Sequence, residues 1–418
     1  MRIAVVGAGV SGLLAARLLH AEHEVQVFEA GAYAGGHTNT VRVDTPHGQR
    51  HVDTGFIVMN DRNYPVFSRL LDLLGIARQP THMSFSVSAE AEDFEYSGTP
   101  TGLLAQPRNL LSPAFHRMVL DLLRFNRELR RVLEGDAGPA AAGESLHEFL
   151  ERHRFSNHFV ERLIVPQAAA VWSADPRQMG TFPVRFLAEF FHNHGMLGLR
   201  DRPRWSTIVG GSARYVDALI APFRERIRLR TPVVGVTRAA DHVEIVTGDG
   251  APERFDQVVI ATHSDQALAM LRDATERERG VLGAIPYQRN EAVLHTDSRL
   301  LPRRRRARAA WNYHLLARPK PLSTVTYWMN HLQRLEHPQD FCVTLNRTEA
   351  IDPGRIIRRI DYHHPVFTPQ GVAAQARHRE ISGLHSRTHY CGAYWGWGFH
   401  EDGARSALAA CEAFGVAL

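Results

Sequence analysis

The sequence predicts an α/β protein: a discontinuous Rossmann-like domain into which an α+β domain, with an antiparallel sheet and a helical part, is inserted. Three observations carry this. Residues 2–36 spell strand, glycine turn, helix, strand, acid and glycine pair in that order. A buried-strand run of the same parallel type, Val258-Val259-Ile260-Ala261, returns only past the midpoint of the chain. Elsewhere the pattern switches to helical periodicity, at 113–134 and 144–200, and to alternating apolar runs at 291–296, 323–329 and 341–345. The Rossmann-like domain is therefore expected at 1–78, 205–265 and 375–418, and the inserted domain at 79–204 and 266–374. With 418 residues, 44% of them apolar, the chain can build two cores.

The opening unit reads element by element. Ile3-Ala4-Val5-Val6 is a buried strand. In Gly7-Ala8-Gly9-Val10-Ser11-Gly12, Gly7 permits the tight turn, Gly9 lets backbone approach a pyrophosphate, and Gly12 lets helix and strand pack closely. Leu13, Ala16 and Leu19 share one helical face, and the N-terminus of that helix offers free N–H groups and a positive dipole end to phosphate. Val25-Gln26-Val27-Phe28 is the second strand. Glu29 ends it, placed to accept both hydroxyls of an adenosine ribose and to repel the 2′-phosphate of NADP. No second G-x-G-x-x-G exists; Gly210-Gly211 does not meet the spacing. That argues against a two-nucleotide reductase and for an oxidase, dehydrogenase, desaturase or isomerase.

Beyond the opening unit, the linker runs from Gly135 to Gly143, and Ser145-Leu146-His147-Glu148 is a capping box that opens a new helix. Pro166, Pro176 and Pro183 are expected to break the helices of 144–200. Strand-type segments follow at 207–209, 233–236, 242–246 and 257–261, and 392–418 closes in a helix of small and apolar residues. Three cysteines, a strand starting at residue 3 and no bilayer-length apolar run together imply a cytoplasmic protein without a disulfide framework or signal peptide. The net charge is +5, and every basic residue but Lys320 is arginine. The run from Arg303 to Arg308 reads either as a solvated loop or as a patch for anionic lipid head groups at the inner face of a membrane. No nucleic-acid signature accompanies it, so nucleic acid is not an expected partner. His192-x-His194 and His363-His364 lack a third ligand at a recognised spacing, and no metal is expected.

At four places the chain resembles the flavin amine oxidase, protoporphyrinogen oxidase and phytoene desaturase superfamily. These are the opening glycine motif with Glu29 and Gly35-Gly36, the segment Asp53-Thr54-Gly55-Phe56, the segment Gly210-Gly211-Ser212 with Val233 and 258–262 after it, and the closing run from Tyr390 to Gly403. Met83 to Ser88, Val325 to Asn330 and Trp397 to Gly403 look like a narrower bacterial family, described only as predicted FAD/NAD-binding flavoproteins. The genes of that family sit beside cyclopropane-fatty-acyl synthases.

The resemblance implies non-covalently bound FAD. Gly7, Gly9, Ser11 and Gly12 belong to the pyrophosphate turn, Glu29 meets ribose, and Gly35, Gly36 and His37 let backbone pass close to phosphate or flavin. His37 stands where most relatives carry arginine. Gly55 and Phe56 lie near the isoalloxazine, Val233 contacts adenine through its backbone, and Thr262 ends the strand beside the cofactor. Gly392 opens the last flavin motif, and the helix beginning near Asp402 aims its N-terminus at the flavin. Tyr394, Trp395, Trp397 and Phe399 read either as the wall of a substrate cavity or as core. His400, with Glu401 and Asp402, is the place to look for a proton-handling group, an acid there serving equally as a helix cap. Trp172 with Phe182, Phe186, Phe190 and Phe191 reads as core or as an apolar tunnel. The leading expectation is an oxidoreductase acting on a fatty-acyl lipid by hydride transfer to flavin N5. A soluble amine oxidase and a non-catalytic, flavin-bound partner of a fatty-acyl methyltransferase are the alternatives.

Overall fold

In the computed structural model, residues 1–135, 143–198, 202–248 and 250–418 are described; most of the 135–143 linker lies outside them. Five strands form an all-parallel sheet: β1 (Arg2–Val6), β2 (Glu24–Phe28), β3 (Ile227–Arg228), β4 (Gln257–Ile260) and β5 (Thr388–Tyr390), ordered β3-β2-β1-β4-β5. β4 is buried throughout and β1 nearly so, which is why both read as continuous apolar runs rather than alternating ones. Helix α1 (Val10–Leu19) leaves β1 through the glycine turn. An antiparallel meander, Val233–Arg238, Val243–Thr247 and Glu253–Phe255, packs beside the sheet, with Phe255 edge-on to Phe28 at 5.9 Å.

A seven-stranded sheet forms the opposite layer. Its order is Ile356–Pro365, Tyr287–His295, Cys342–Leu345, Val325–Trp328, Trp311–Leu315, Phe85–Ala89, Phe94–Ser97. It is not wholly antiparallel. Trp311–Leu315 pairs in parallel with Phe85–Ala89, because a strand from the first insertion is stitched onto strands from the second. Helices α2 (Pro113–Glu134), α3 (Val165–Trp172) and α4 (Val184–Asn193) pack on this sheet through Phe125, Trp172, Phe186 and Phe190. The capping box at Ser145–Glu148 is present. Pro166 does not separate two helices. It sits in the first turn of α3, directly after a π-turn at Val160–Ile164, where its missing N–H is already surplus. The last helix, α5 (His400–Glu412), returns to α1. A Cβ on Gly403 would lie 2.8 Å from Val10 Cγ1 and 2.9 Å from Ser11 Oγ, so the chain's two ends pack nearly backbone to backbone.

One buried carboxylate ties these layers together. Asp53, with no solvent exposure, accepts hydrogen bonds from Thr40 Oγ1 (2.5 Å), Ser212 Oγ (2.8 Å), the Ser212 N–H (2.9 Å) and Gln333 Nε2 (2.8 Å). Its own N–H donates to Gln333 Oε1 at 2.9 Å. The Gly210-Gly211-Ser212 motif thus meets Asp53, and Gln333 reaches it from the segment between two strands of the seven-stranded sheet. Burial pushes the Asp53 pKa up to about 6, against the pull of Thr40 and Ser212. Asp53→Ala leaves these donors unpaired in a dry site. It should lower unfolding stability by about 3 kcal/mol, read as a lower urea midpoint at unchanged slope. A loss under about 1 kcal/mol would show that the layers do not depend on this carboxylate.

Candidate functional site

A cavity of about 1910 Å³ lies between the carboxyl ends of β1 and β4 and the seven-stranded sheet. In open parallel sheets this is where ligands bind. The glycine turn builds one end. Gly7 has φ +103°, and a Cβ there would sit 2.8 Å from the Ala261 carbonyl. A Cβ on Gly12 would collide with the Gly7 carbonyl, so Gly12 serves the close seating of α1 and does not itself line the cavity. Gly9 lines it, and a Cβ there would touch nothing within 4 Å. No side chain caps α1 and no acid occupies its first turn, so its amide end faces the cavity uncompensated. Ser11 lines the cavity beside it.

Glu29 locks this turn: its two oxygens accept the Ala8 and Gly31 N–H groups, each at 2.7 Å. A carboxylate has about four lone-pair sites, so Glu29, which also lines the cavity, keeps acceptor capacity for hydroxyls. The Gly35 N–H donates to the Ala8 carbonyl at 2.7 Å, and a Cβ on Gly36 would lie 3.1 Å from Gly9 Cα. The glycine pair is therefore required by the first glycine turn itself. His37 follows, stacked on Tyr362 at 4.9 Å, and the Phe56 N–H donates to its carbonyl at 2.8 Å. Gly55 passes so close to that carbonyl that a side chain would collide with it. Val233 and Thr262 also line the cavity.

The closing segment forms another wall. Gly392, Tyr394, Trp397, Phe399 and His400 line the cavity; Trp395 does not, and packs at a tilt against His378 at 4.3 Å instead. Tyr394 is 3% exposed and its hydroxyl has no partner. Asp402 also lies outside the lining. Its carboxylate accepts the Trp397 and Phe399 N–H groups (3.1 and 2.9 Å), so it acts as the cap of α5, and burial raises its pKa to about 6. His400 Nε2 lies 2.8 Å from Thr38 Oγ1 and 3.2 Å from Tyr215 OH, and its ring stacks on Phe56 at 3.7 Å. Burial, then His37, depresses its pKa to about 3. In the cofactor-free protein the imidazole is therefore neutral near neutral pH.

Of the phenylalanine group, Trp172, Phe190 and Phe191 reach the cavity, while Phe182 and Phe186 stay in the core. Lys320 is remote, bound to Glu349 (2.5 Å) and the Asn346 carbonyl. Tyr287, Tyr362, His194, His263, His363 and His364 also line the cavity, though sequence reasoning gave none of them that place. His363 and His364 sit on a half-exposed strand without apolar alternation, which hid both strand and site. Among the described residues, no group of three or more His, Cys, Asp or Glu is arranged to hold a metal ion.

Sequence comparison matches residues 10–293 to a family described as flavin containing amine oxidoreductase. The mitochondrial protoporphyrinogen oxidase of Nicotiana tabacum is 32% identical over 300 residues, 64% of this chain and 55% of that protein. The chain spans between 33% and 64% of the length of the curated relatives it matches. Cyclohexylamine oxidase from Brevibacterium oxydans superposes with TM-score 0.70 at 17% identity, covering 99% of each chain. A CLA-producing fatty acid isomerase from P. acnes superposes at 0.65 with 16% identity, covering 99% of this chain and 98% of that one.

The site's imidazoles set a pH dependence. Burial is the first cause in each case: His37, His194 and His263 fall to about 4, His364 and His400 to about 3. The unfolded chain titrates near 6.5. Between about 4 and 6.5 the folded state thus binds fewer protons, so these groups stabilise it above 6.5 and that contribution is lost as pH falls. Asp53 and Asp402, raised to about 6, act oppositely: they favour the fold at low pH and lose that effect as pH rises to 6. Five histidines outweigh two carboxylates. The cofactor-free protein should therefore melt at a lower temperature near pH 5 than near pH 7.5 by differential scanning fluorimetry. A higher melting temperature near pH 5 contradicts the neutral, buried state of these rings.

Proposed function

Because the chain belongs to the flavin containing amine oxidoreductase family, we propose that it is an FAD-dependent oxidoreductase acting on an apolar, fatty-acyl substrate. The cofactor is FAD, and the residues present fit it. The open face of Gly9, the uncapped start of α1 and the spare acceptors of Glu29 suit a pyrophosphate and a ribose. Bound FAD supplies a two-electron acceptor for a C–H bond. The chain's own part is to orient the substrate and exclude water. Tyr394, Trp397 and Phe399 form an apolar wall for this, and Thr38 and Tyr215 hold the His400 ring in place beside Phe56.

One observation carries the substrate reading. The lining includes a mainly apolar lobe of Leu122, Leu123, Leu163, Val171 and Tyr96 with the amides Asn126 and Gln167, and of the cavity's three carboxylates two are ion-paired. Glu29 holds two backbone amides, Asp61 pairs with Arg204 (3.2 Å) and Asp361 with Arg289 (2.9 Å). With Glu29 given to the ribose, the two remaining carboxylates are ion-paired and an ammonium group gains little there, whereas an acyl chain needs no counter-ion. The same fold serves a protein described as a fatty acid isomerase. The aromatic wall favours the second reading, an amine oxidase, since ring faces attract cations.

Leu123, which lines the lobe, is also part of an exposed patch that suits a membrane. Leu104, Leu110, Leu111, Leu120 and Leu123 are all exposed, Leu111 by 85%. Nearby, the turn Arg305–Ala307 packs against the short helix Pro100–Leu103. Arg304 and Arg308 are committed to Asp93, Glu95 and Asp340. Arg303, Arg305 and Arg306 are exposed and have no ion pair among the described residues. Exposed leucines beside free arginines suit peripheral contact with anionic lipid. Among the described residues, no helix is long and apolar enough to cross a membrane.

Anaerobic addition of acyl lipids to the holoprotein should bleach the flavin absorbance. Bleaching by amines alone overturns the acyl reading in favour of the amine oxidase. A flavin that never bleaches, with any lipid or amine, points to the non-catalytic partner of a fatty-acyl methyltransferase. Gly9→Leu, which fills the open face of the turn, should weaken FAD binding at least tenfold, or about 1.4 kcal/mol, in a fluorescence titration. Vesicles with phosphatidylglycerol should sediment the protein, and the triple variant R303E/R305E/R306E should stay in the supernatant. Equal binding to neutral vesicles removes the arginines from that role.

A further inference from the structure

Four imidazoles meet at the glycine-turn end of the cavity, and no arginine or lysine lines that end. His37 follows the glycine pair that touches Gly9, and His263 follows Thr262, whose N–H lies beside Gly7. The two rings are 6.4 Å apart between centroids. His364 lies 5.3 Å from His37, and His363 lies 6.2 Å from His263. Stacking fixes two of them: His37 on Tyr362 and His263 on Tyr287, the latter at 4.5 Å and 13°. The decisive atom is His37 Nε2, which is buried and has no hydrogen-bond partner. A hydrogen bond to the His363 backbone also acts on the ring, pulling its pKa up against burial. His37 lines the cavity, and a proton on this nitrogen would find no acceptor among the described residues.

We propose that His37, backed by His263, His363 and His364, is the cationic contact for the pyrophosphate of FAD and takes up a proton when the dinucleotide binds. This rests on FAD being the cofactor. Without an anion, burial and the neighbouring imidazoles His263 and His363 keep His37 neutral, its pKa near 4. Near the cluster, Glu29 is bound to two amides, Asp361 is paired with Arg289, and Tyr287 and Tyr362 are neutral phenols raised by burial. His400, the remaining nearby imidazole, is neutral too. Arg358 acts on Tyr33 at this end, but among the described residues no arginine or lysine lines it. A phosphate charge beside neutral rings favours their protonated form, so binding and proton uptake are coupled. Histidine thus does here, conditionally, what a guanidinium does at any pH.

The test is calorimetric titration of the apoprotein with FAD in two buffers of different ionisation enthalpy, which counts protons directly. Wild type should take up roughly one proton near pH 7.5, and its FAD affinity should rise roughly three- to tenfold per unit as pH is lowered from about 8.5 to 6.5. ADP, which carries the pyrophosphate without the flavin, should show the same uptake; riboflavin should show none. His37→Gln, which keeps a donor for the His363 backbone but cannot titrate, should bind FAD more weakly and abolish most of the pH dependence. Its folding is checked by circular dichroism. FAD binding without proton uptake in wild type, or an unchanged pH dependence in His37→Gln, overturns the proposal while leaving FAD as cofactor. Failure of wild type to bind FAD at any pH overturns the cofactor reading itself.

Discussion

Burying the Asp53 carboxylate is the constraint on which the two layers depend. It is held by side chains and backbone from Thr40, Ser212 and Gln333, three segments far apart in the chain. A buried carboxylate without such donors would be expelled or neutralised. What it gains in position passes directly to the cavity. Thr54 bonds Tyr362 (3.0 Å), Gly55 seats against the His37 carbonyl, and Phe56 stacks on His400. The cavity floor between the parallel sheet and the seven-stranded sheet is thus registered by one acid at its edge.

How far this was legible differs by element. β1, α1 and β2 were plain because turn chemistry, helix packing and strand burial all act within the first 30 residues. The closing segment was legible for the same reason: local glycine and aromatic spacing survives in sequence. The seven-stranded sheet was only half visible. Its alternating strands betrayed themselves, but the parallel pairing of 85–89 with 311–315 joins residues with no local relation, and Ile356–Pro365 carries Arg, Asp and His where a strand signal expects apolar alternation. Gly210-Gly211-Ser212 shows a different limit. It resembled a nucleotide motif, yet its serine binds Asp53, and a Cβ on Gly211 would press on Thr40 Cγ2 at 2.5 Å. Chemistry shared between loops leaves the same sequence mark as chemistry shared with a cofactor.

Within the closing segment, spacing identified the wall but not its facing. Tyr394, Trp397, Phe399 and His400 turn inward while Trp395 turns away, because Ala393–Trp395 is a single tight turn that presents neighbours in opposite directions. Asp402 illustrates the ambiguity of an acid at a helix start. It was a candidate for proton handling and a candidate cap, and both its hydrogen bonds go to the backbone just ahead of α5. Those two amides pull its pKa down, but burial is the larger influence and leaves it raised to about 6.

Electrostatically the cavity is almost silent. Two of its three carboxylates are ion-paired, burial keeps His37, His194, His263, His364 and His400 neutral, and its few arginines are Arg78, Arg202 and Arg204. In a low-dielectric space this silence has consequences, because any charge that enters acts over a longer range than it would in water. A dinucleotide brings phosphate charge to the one end where titratable rings cluster, and the apolar lobe receives none. The same arrangement that disfavours a permanent cation in the lobe leaves the phosphate end free to acquire one. The architecture therefore sorts its two occupants by charge before any specific contact is made.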